Sequence, residues 1–144
     1  MYKDNYLMNL QDRIDAFNKL GDFLKKDFLI LYSSEINKVE LQNPWYTKEN
    51  IKKVIEYWSK NLDSEMLSSW ITPYKLDEAG SSEKKVLVVL AGNIPLVGFH
   101  DFLTVLISGF KVVVKLSSND NIILPLIVSK LLEIDSRFSD RIDF

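Results

Sequence analysis

No cysteine occurs among the 144 residues, and histidine occurs once, at His100. Without a thiol the chain can form no disulfide, no thiolate metal site and no cysteine acyl-enzyme of its own. One imidazole and no thiolate also exclude a histidine-rich zinc site. Glycine is sparse, at five residues, and none falls into G-x-G-x-x-G or the P-loop pattern G-x-x-x-x-G-K-[ST]. A dinucleotide held on a glycine-rich fingerprint is therefore not supported by this segment. No apolar run reaches the roughly 18 residues that a membrane span needs. Charge of neither sign dominates: 18 Lys and Arg against 20 Asp and Glu give a formal net charge of −2, with no basic footprint for nucleic acid. The opening, Met1-Tyr2-Lys3-Asp4-Asn5-Tyr6, has no apolar core of a secretory signal, which leaves the cytoplasm as the expected compartment.

What is present divides into two halves. Residues 1–76 read as a helical region. Leu10, Ile14, Phe17, Leu20 and Leu24 recur every three or four positions, on one helix face. Asn43-Pro44 punctuates the chain, and Thr47 is placed to cap a helix whose inner face is Ile51, Val54, Ile55 and Trp58. Asp63 is placed to cap a shorter one carrying Met66, Leu67 and Trp70, which Thr72-Pro73 ends. Residues 77–84 read as a polar linker loop.

From residue 85 to 144 the period changes. Val86 to Leu90 and Val112 to Val114 are β-branched and leucine runs that suit parallel strands buried on both faces. Between them Leu96, Phe99, Leu103, Leu106 and Ile107 keep helical spacing, with Pro95 expected at the first helical position and Gly109 at the C-terminal cap. Ile123, Ile127, Leu131 and Ile134 mark a further helix, in which Pro125 demands a late start or a bend. Arg141 to Phe144 opens a third strand. The order is helices and then β-α-β-α-β, part of a doubly wound α/β sheet. Two full strands and an opening do not cover both faces of such a sheet, so the chain reads as truncated, the amino-terminal piece of something larger.

Ligands of open α/β sheets bind beyond the carboxyl ends of the strands. The loops there are Ala91–Pro95 and Ser117–Asp120. Asn93 offers a neutral amide donor suited to an oxyanion, or else caps the following helix. Gly92 permits close backbone approach. Lys115 ends its strand with an ammonium that reaches a sugar hydroxyl or phosphate, or else snorkels to water. Ser117 and Ser118 bond a ribose, or else cap a helix. His100 and Asp101 are sequence neighbours that point about 100° apart on a helix, which suits a surface histidine better than an acid–base couple. Trp45, Trp58 and Trp70 read as core or interface anchors.

Taken together the two loops resemble a known family. Asn93-Ile94-Pro95 is similar to the Asn-Phe-Pro core of the aldehyde dehydrogenase superfamily, and Gly109 to Lys115 is similar to its Gly-Asn-x-Val-Val-x-Lys strand. Within that superfamily the strings Ala91 to Leu103 and Val114 to Asp120 resemble the LuxC-type acyl-CoA reductases, as do Asp12 to Gly21 and Trp45 to Asn50. The resemblance implies a Rossmann-like sheet of the aldehyde dehydrogenase type and reduction of a fatty acyl-CoA to an aldehyde through a cysteine thioester. It implies Asn93 as the oxyanion donor, and Lys115 and Ser117 facing the cofactor ribose, with Ser118, Ala91 and Gly92 beside them. Ser118 stands where the superfamily often has a glutamate. Losing that carboxylate favours NADPH, with NAD possible. No metal site is implied. The partners expected are acyl-CoA and, in the full-length protein, further copies of itself. The cysteine, the glutamate base and the second glycine-rich loop of the superfamily are not among these residues, so the isolated chain is expected to be inactive. Two other readings stand beside this one: a stand-alone binding or oligomerisation module that retains half a cofactor site, and another aldehyde dehydrogenase-like reductase.

Overall fold

The computed structural model of the chain describes residues 7–76 and 82–144. The expected linker 77–84 therefore lies mostly outside the described residues, as does the opening hexapeptide.

Helix α1 (Leu10–Phe23) starts at a reciprocal cap. The Asn9 side chain accepts from the Asp12 N–H at 2.8 Å, and the Asp12 carboxylate accepts from the Asn9 N–H at 3.0 Å. Its inner face buries Ile14, Phe17 and Leu20, as the spacing predicts. A π-helical turn over Leu24–Phe28 widens the ladder and turns Phe28 fully inward. The chain continues through the short α2 (Leu29–Leu31), bends at Tyr32 and runs on as α3 (Ser33–Gln42). Thr47 caps α4 (Lys48–Asn61) through the Asn50 N–H at 3.2 Å, and Ile51, Ile55 and Trp58 form the buried face. Asp63 caps α5 (Ser64–Ile71), which closes in a tight turn at Thr72–Tyr74.

Three parallel strands follow: β1 (Lys85–Val89), β2 (Lys111–Lys115) and the short β3 (Ile142–Asp143), in the order β1-β2-β3. Helices α6 (Phe99–Ile107) and α7 (Ile123–Ile134) make the crossovers. Successive crossovers of one hand in one direction put both helices on the same side of the sheet. That side carries Val88, Val112 and Val114, all buried. Gly109 closes α6 with φ of 85°, its N–H donating to the Leu106 carbonyl and the Phe110 N–H to that of Val105. Pro125 sits in the first turn of α7, where its missing N–H has no partner to lose.

Two expectations change here. Pro95 does not open α6; that helix begins at Phe99, and Pro95 lies in the turn before it. The strands are not buried on both faces. Leu87 is 64% and Val89 69% exposed, because both helices lie on the other side and no described element covers this one. The chain is thus mixed α/β and mostly helical, with a small three-stranded parallel sheet.

One apolar cluster joins the two halves, from Met8 to Phe138. Phe17 meets Phe138 edge to face at 5.7 Å. The buried Arg13 donates through Nε to the Ile107 carbonyl at 3.0 Å and through Nη1 to the Met8 carbonyl at 2.8 Å. A guanidinium at the last carbonyls of α6 also suits that helix's negative end.

Candidate functional site

Val89 pairs with Lys115 in the parallel ladder, and the Leu90 N–H continues it to the Lys115 carbonyl at 3.0 Å. The two loops that sequence reasoning singled out therefore leave the same end of the sheet, side by side. They also touch. A β-carbon on Gly92 would collide with the Ser117 hydroxyl and stand 2.9 Å from the Asn119 β-carbon. The close approach that Gly92 permits is thus to the neighbouring turn.

That turn is built from its own side chains. The Ser117 hydroxyl accepts from the Asn119 N–H at 3.2 Å, and the Asp120 N–H returns to the Ser117 carbonyl at 3.2 Å. Neither Ser117 nor Ser118 caps α7, which starts five residues beyond Ser118 at Ile123. Lys115, Ser118 and Ala91 are exposed at the same strand ends.

Asn93 is exposed and does not cap α6, whose cap position is Gly98 with no side-chain bond. The Asn93 amide instead lines an open cleft of about 410 Å³ with Trp45, Asn50, Lys53, Val54, Ile94 and Pro95. Trp45 is 74% exposed at this cleft, so of the two roles expected for it, core or interface anchor, the core one does not hold. Its backbone is nevertheless fixed: the Trp45 N–H donates to Asn43 Oδ1 at 3.1 Å and its carbonyl accepts from the Asn50 amide at 3.1 Å. Trp58 does anchor the core, edge-on to Phe99 at 4.7 Å, and Trp70 is half-buried. His100 is exposed beside Trp70, as a surface histidine.

Three residues to which sequence reasoning assigned no site role hold the Asn93 loop. The buried Asn43 amide reaches the Gly92 carbonyl at 3.5 Å and the Asn119 carbonyl at 3.3 Å, bridging both loops. The Tyr46 hydroxyl, fully buried, lies 3.1 Å from the Ile94 carbonyl and 3.1 Å from Asp120 Oδ2. Asp120 Oδ2 also accepts the Leu96 N–H at 3.3 Å. Leu96 needs that tether, since it holds φ of 55°, a left-handed conformation costing a leucine on the order of 1 kcal/mol. Burial pushes the Asp120 carboxyl above its usual range, outweighing the Leu96 N–H, the Tyr46 hydroxyl and the Ile123 N–H, which act oppositely. Burial, and then Asp120, push the Tyr46 phenol well above its usual value. In the sequence, Asn43 and Tyr46 flank what reads as punctuation, and Asp120 ends a run of turn formers, so nothing marked them as buried.

No group of acids and histidines among the described residues could hold a metal ion, and no helix among them is long and apolar enough to cross a membrane. No curated protein and no solved structure matches the chain. A family model does: that of the acyl-CoA reductase (LuxC) matches residues 10–143. Nearly the whole chain is covered, both loops included, and the protein belongs to the LuxC acyl-CoA reductase family.

Proposed function

We propose that this chain is the part of a cytoplasmic, NADPH-dependent acyl-CoA reductase that polarises the thioester and holds the cofactor. The nucleophilic cysteine would come from outside these 144 residues, which contain none. One observation carries the reading. The β1 and β2 ends are paired through Val89 and Lys115, so the uncommitted Asn93 amide and the exposed Lys115 open onto one end of the sheet. A Rossmann-like sheet of the aldehyde dehydrogenase type is the reading we adopt for the fold, supported by the strand order and the two crossovers on one side.

The residues suit their roles chemically. Asn93 donates a neutral hydrogen bond to the thioester oxygen, and the bond strengthens as negative charge develops there. The cleft beside it offers the indole of Trp45, the apolar Val54, Ile94 and Pro95, and Lys53, whose ammonium pairs with Glu49 at 2.6 Å, to the arm of an acyl-CoA. Lys115 and the Ser117–Ser118 turn, with Ala91 and Gly92, would hold the cofactor ribose. No carboxylate stands at position 118 to repel a 2′-phosphate, which favours NADPH over NADH. When bound, the cofactor supplies hydride. On this reading the isolated chain binds ligands but turns nothing over.

Calorimetric titration of the 144-residue chain with NADPH, NADH and octanoyl-CoA tests the reading. Binding of octanoyl-CoA and a preference for NADPH are expected. Absence of binding by all three would remove it, and a preference for NADH would remove the role given to Ser118. A binding or oligomerisation module remains the second reading, favoured by the bare sheet face at Leu87 and Val89. Self-association without ligand binding is its signature.

A further inference from the structure

The contacts around Tyr46 contain one proton too few. The Tyr46 hydroxyl stands 3.1 Å from two oxygens, the Ile94 carbonyl and Asp120 Oδ2. A phenol has one proton to donate, and a carbonyl and a carboxylate are both acceptors only. With Asp120 ionised, one of these close contacts sets lone pair against lone pair in a fully buried place. A proton on Asp120 removes the conflict. Asp120 Oδ2 then donates to the Tyr46 oxygen, Tyr46 donates to the Ile94 carbonyl, and Oδ2 keeps a lone pair for the Leu96 N–H at 3.3 Å.

Two further observations agree. The other carboxyl oxygen, Oδ1, is buried with no partner inside hydrogen-bond distance, and the Ile123 N–H acts on the carboxyl less than burial does; a neutral carbonyl tolerates this far better than a shared negative charge. Burial also raises the carboxyl's affinity for its proton. Among the described residues, the titratable side chain acting on Asp120 is Tyr46; its other neighbours in this network are the backbone groups of Leu96 and Ile123.

The chain of bonds ends beside Asn93. Ile94 is held through its carbonyl by Tyr46, Leu96 through its N–H by Asp120, and Gly92 through its carbonyl by Asn43. The backbone is thus tied on both sides of residue 93, while the Asn93 amide is left free. We propose that Asp120 is held as a neutral carboxylic acid that donates to Tyr46, and that the Asp120–Tyr46–Ile94 chain is the positioning device for the Asn93 amide. The positioning half rests on the role proposed for Asn93 above; the protonation half does not.

The test uses the whole chain, labelled with ¹³C at aspartate carboxyls and with ¹⁵N at asparagine side chains. The Asp120 carboxyl signal is expected to stay at its protonated position at a pH where the exposed aspartates have ionised. Asp120→Asn, a neutral variant of the same shape, keeps a donor to Tyr46 but gives up the lone pair used by the Leu96 N–H; it is expected to be more stable than Asp120→Ala and to keep the Asn93 amide signal of the parent. Tyr46→Phe is expected to shift the Asn93 signal. An Asp120 signal that titrates with the exposed aspartates overturns the protonation, as does an Asp120→Asn variant as unstable as Asp120→Ala. An Asn93 signal indifferent to Tyr46→Phe overturns the positioning. Failure of octanoyl-CoA and NADPH to bind, with the carboxyl still protonated, counts against the functional reading alone.

Discussion

Gly92 and Ser117 meet so closely that a β-carbon on the glycine would overlap the serine hydroxyl. This contact docks the Asn93 loop on the turn after β2. The β-carbons of Ser117 and Asn119, each 2.9 Å from that position, leave it little room to yield. Gly92→Ala is therefore expected to cost about 1–3 kcal/mol, as overpacking usually does. Urea unfolding measures it, and a variant as stable as the parent would show that the two loops are not docked as described.

Asn93 and Asn43 should behave as opposites. The Asn93 amide is exposed and caps nothing, so Asn93→Ala should leave stability within about 0.5 kcal/mol. The same substitution should weaken octanoyl-CoA binding, read by calorimetry. Asn43→Ala strips the Gly92 and Asn119 carbonyls of a shared donor. It should cost about 1–3 kcal/mol in unfolding experiments.

Arg13 ties the helical half to the end of α6 through the carbonyls of Ile107 and Met8. Arg13→Met keeps much of the apolar stem but removes the donors. A loss of about 2–4 kcal/mol is expected, because buried acceptors are left without partners. Thermal and urea unfolding would both report it. An unchanged midpoint would contradict the role given to this residue.

Stability should respond to pH in two opposing ways. The Asp120 pKa is raised by burial above its ordinary 3.8. A folded value above the unfolded one means that the folded state binds the proton more tightly. The contribution is therefore complete below about 3.8 and is lost as pH rises through the folded value. Asp135 runs the other way. The Arg137 guanidinium, with bonds of 2.6 to 3.2 Å, lowers its pKa. Its stabilisation is present above the ordinary carboxylate range and fades in acid, and partial exposure limits it to about 0.5–1 kcal/mol. Unfolding measured against pH should show the parent gaining on Asp120→Asn as pH falls toward about 3.8, and dropping to the level of Asp135→Asn as pH falls further below that value. A flat difference between parent and Asp120→Asn would contradict the raised value.

The sequence was informative wherever a local rule decides the outcome. Thr47 and Asp63 start their helices, Gly109 ends α6, and the Ile51, Ile55 and Trp58 spacing faces inward, each as the pattern predicts. Both loops of the site and their shared end of the sheet were legible for the same reason, since strand order follows from two simple crossovers. Long-range partners were not. Tyr46 and Asp120 are 74 positions apart, and Asn43 and Gly92 are 49 apart. Nothing in the period of the sequence couples them. Trp45 stays out of the core because aromatic size predicts burial only where neighbours close over the ring, and the cleft it lines is open. The expected burial of Val89 failed, since a β-branched strand reads the same whether one face or two are covered.

The convergence of Asn93 and Lys115 on one crevice is the claim on which the enzyme reading depends, and chemical-shift mapping tests it most directly. Titrating ¹⁵N-labelled chain with NADPH should move the signals of Lys115, Ser117 and Ser118. Titrating it with octanoyl-CoA should move the Asn93 amide and the Trp45 indole. Shifts confined to the far end of the sheet, near Lys85 and Lys111, or an absence of shifts at residues 93 and 115 alike, would contradict the account.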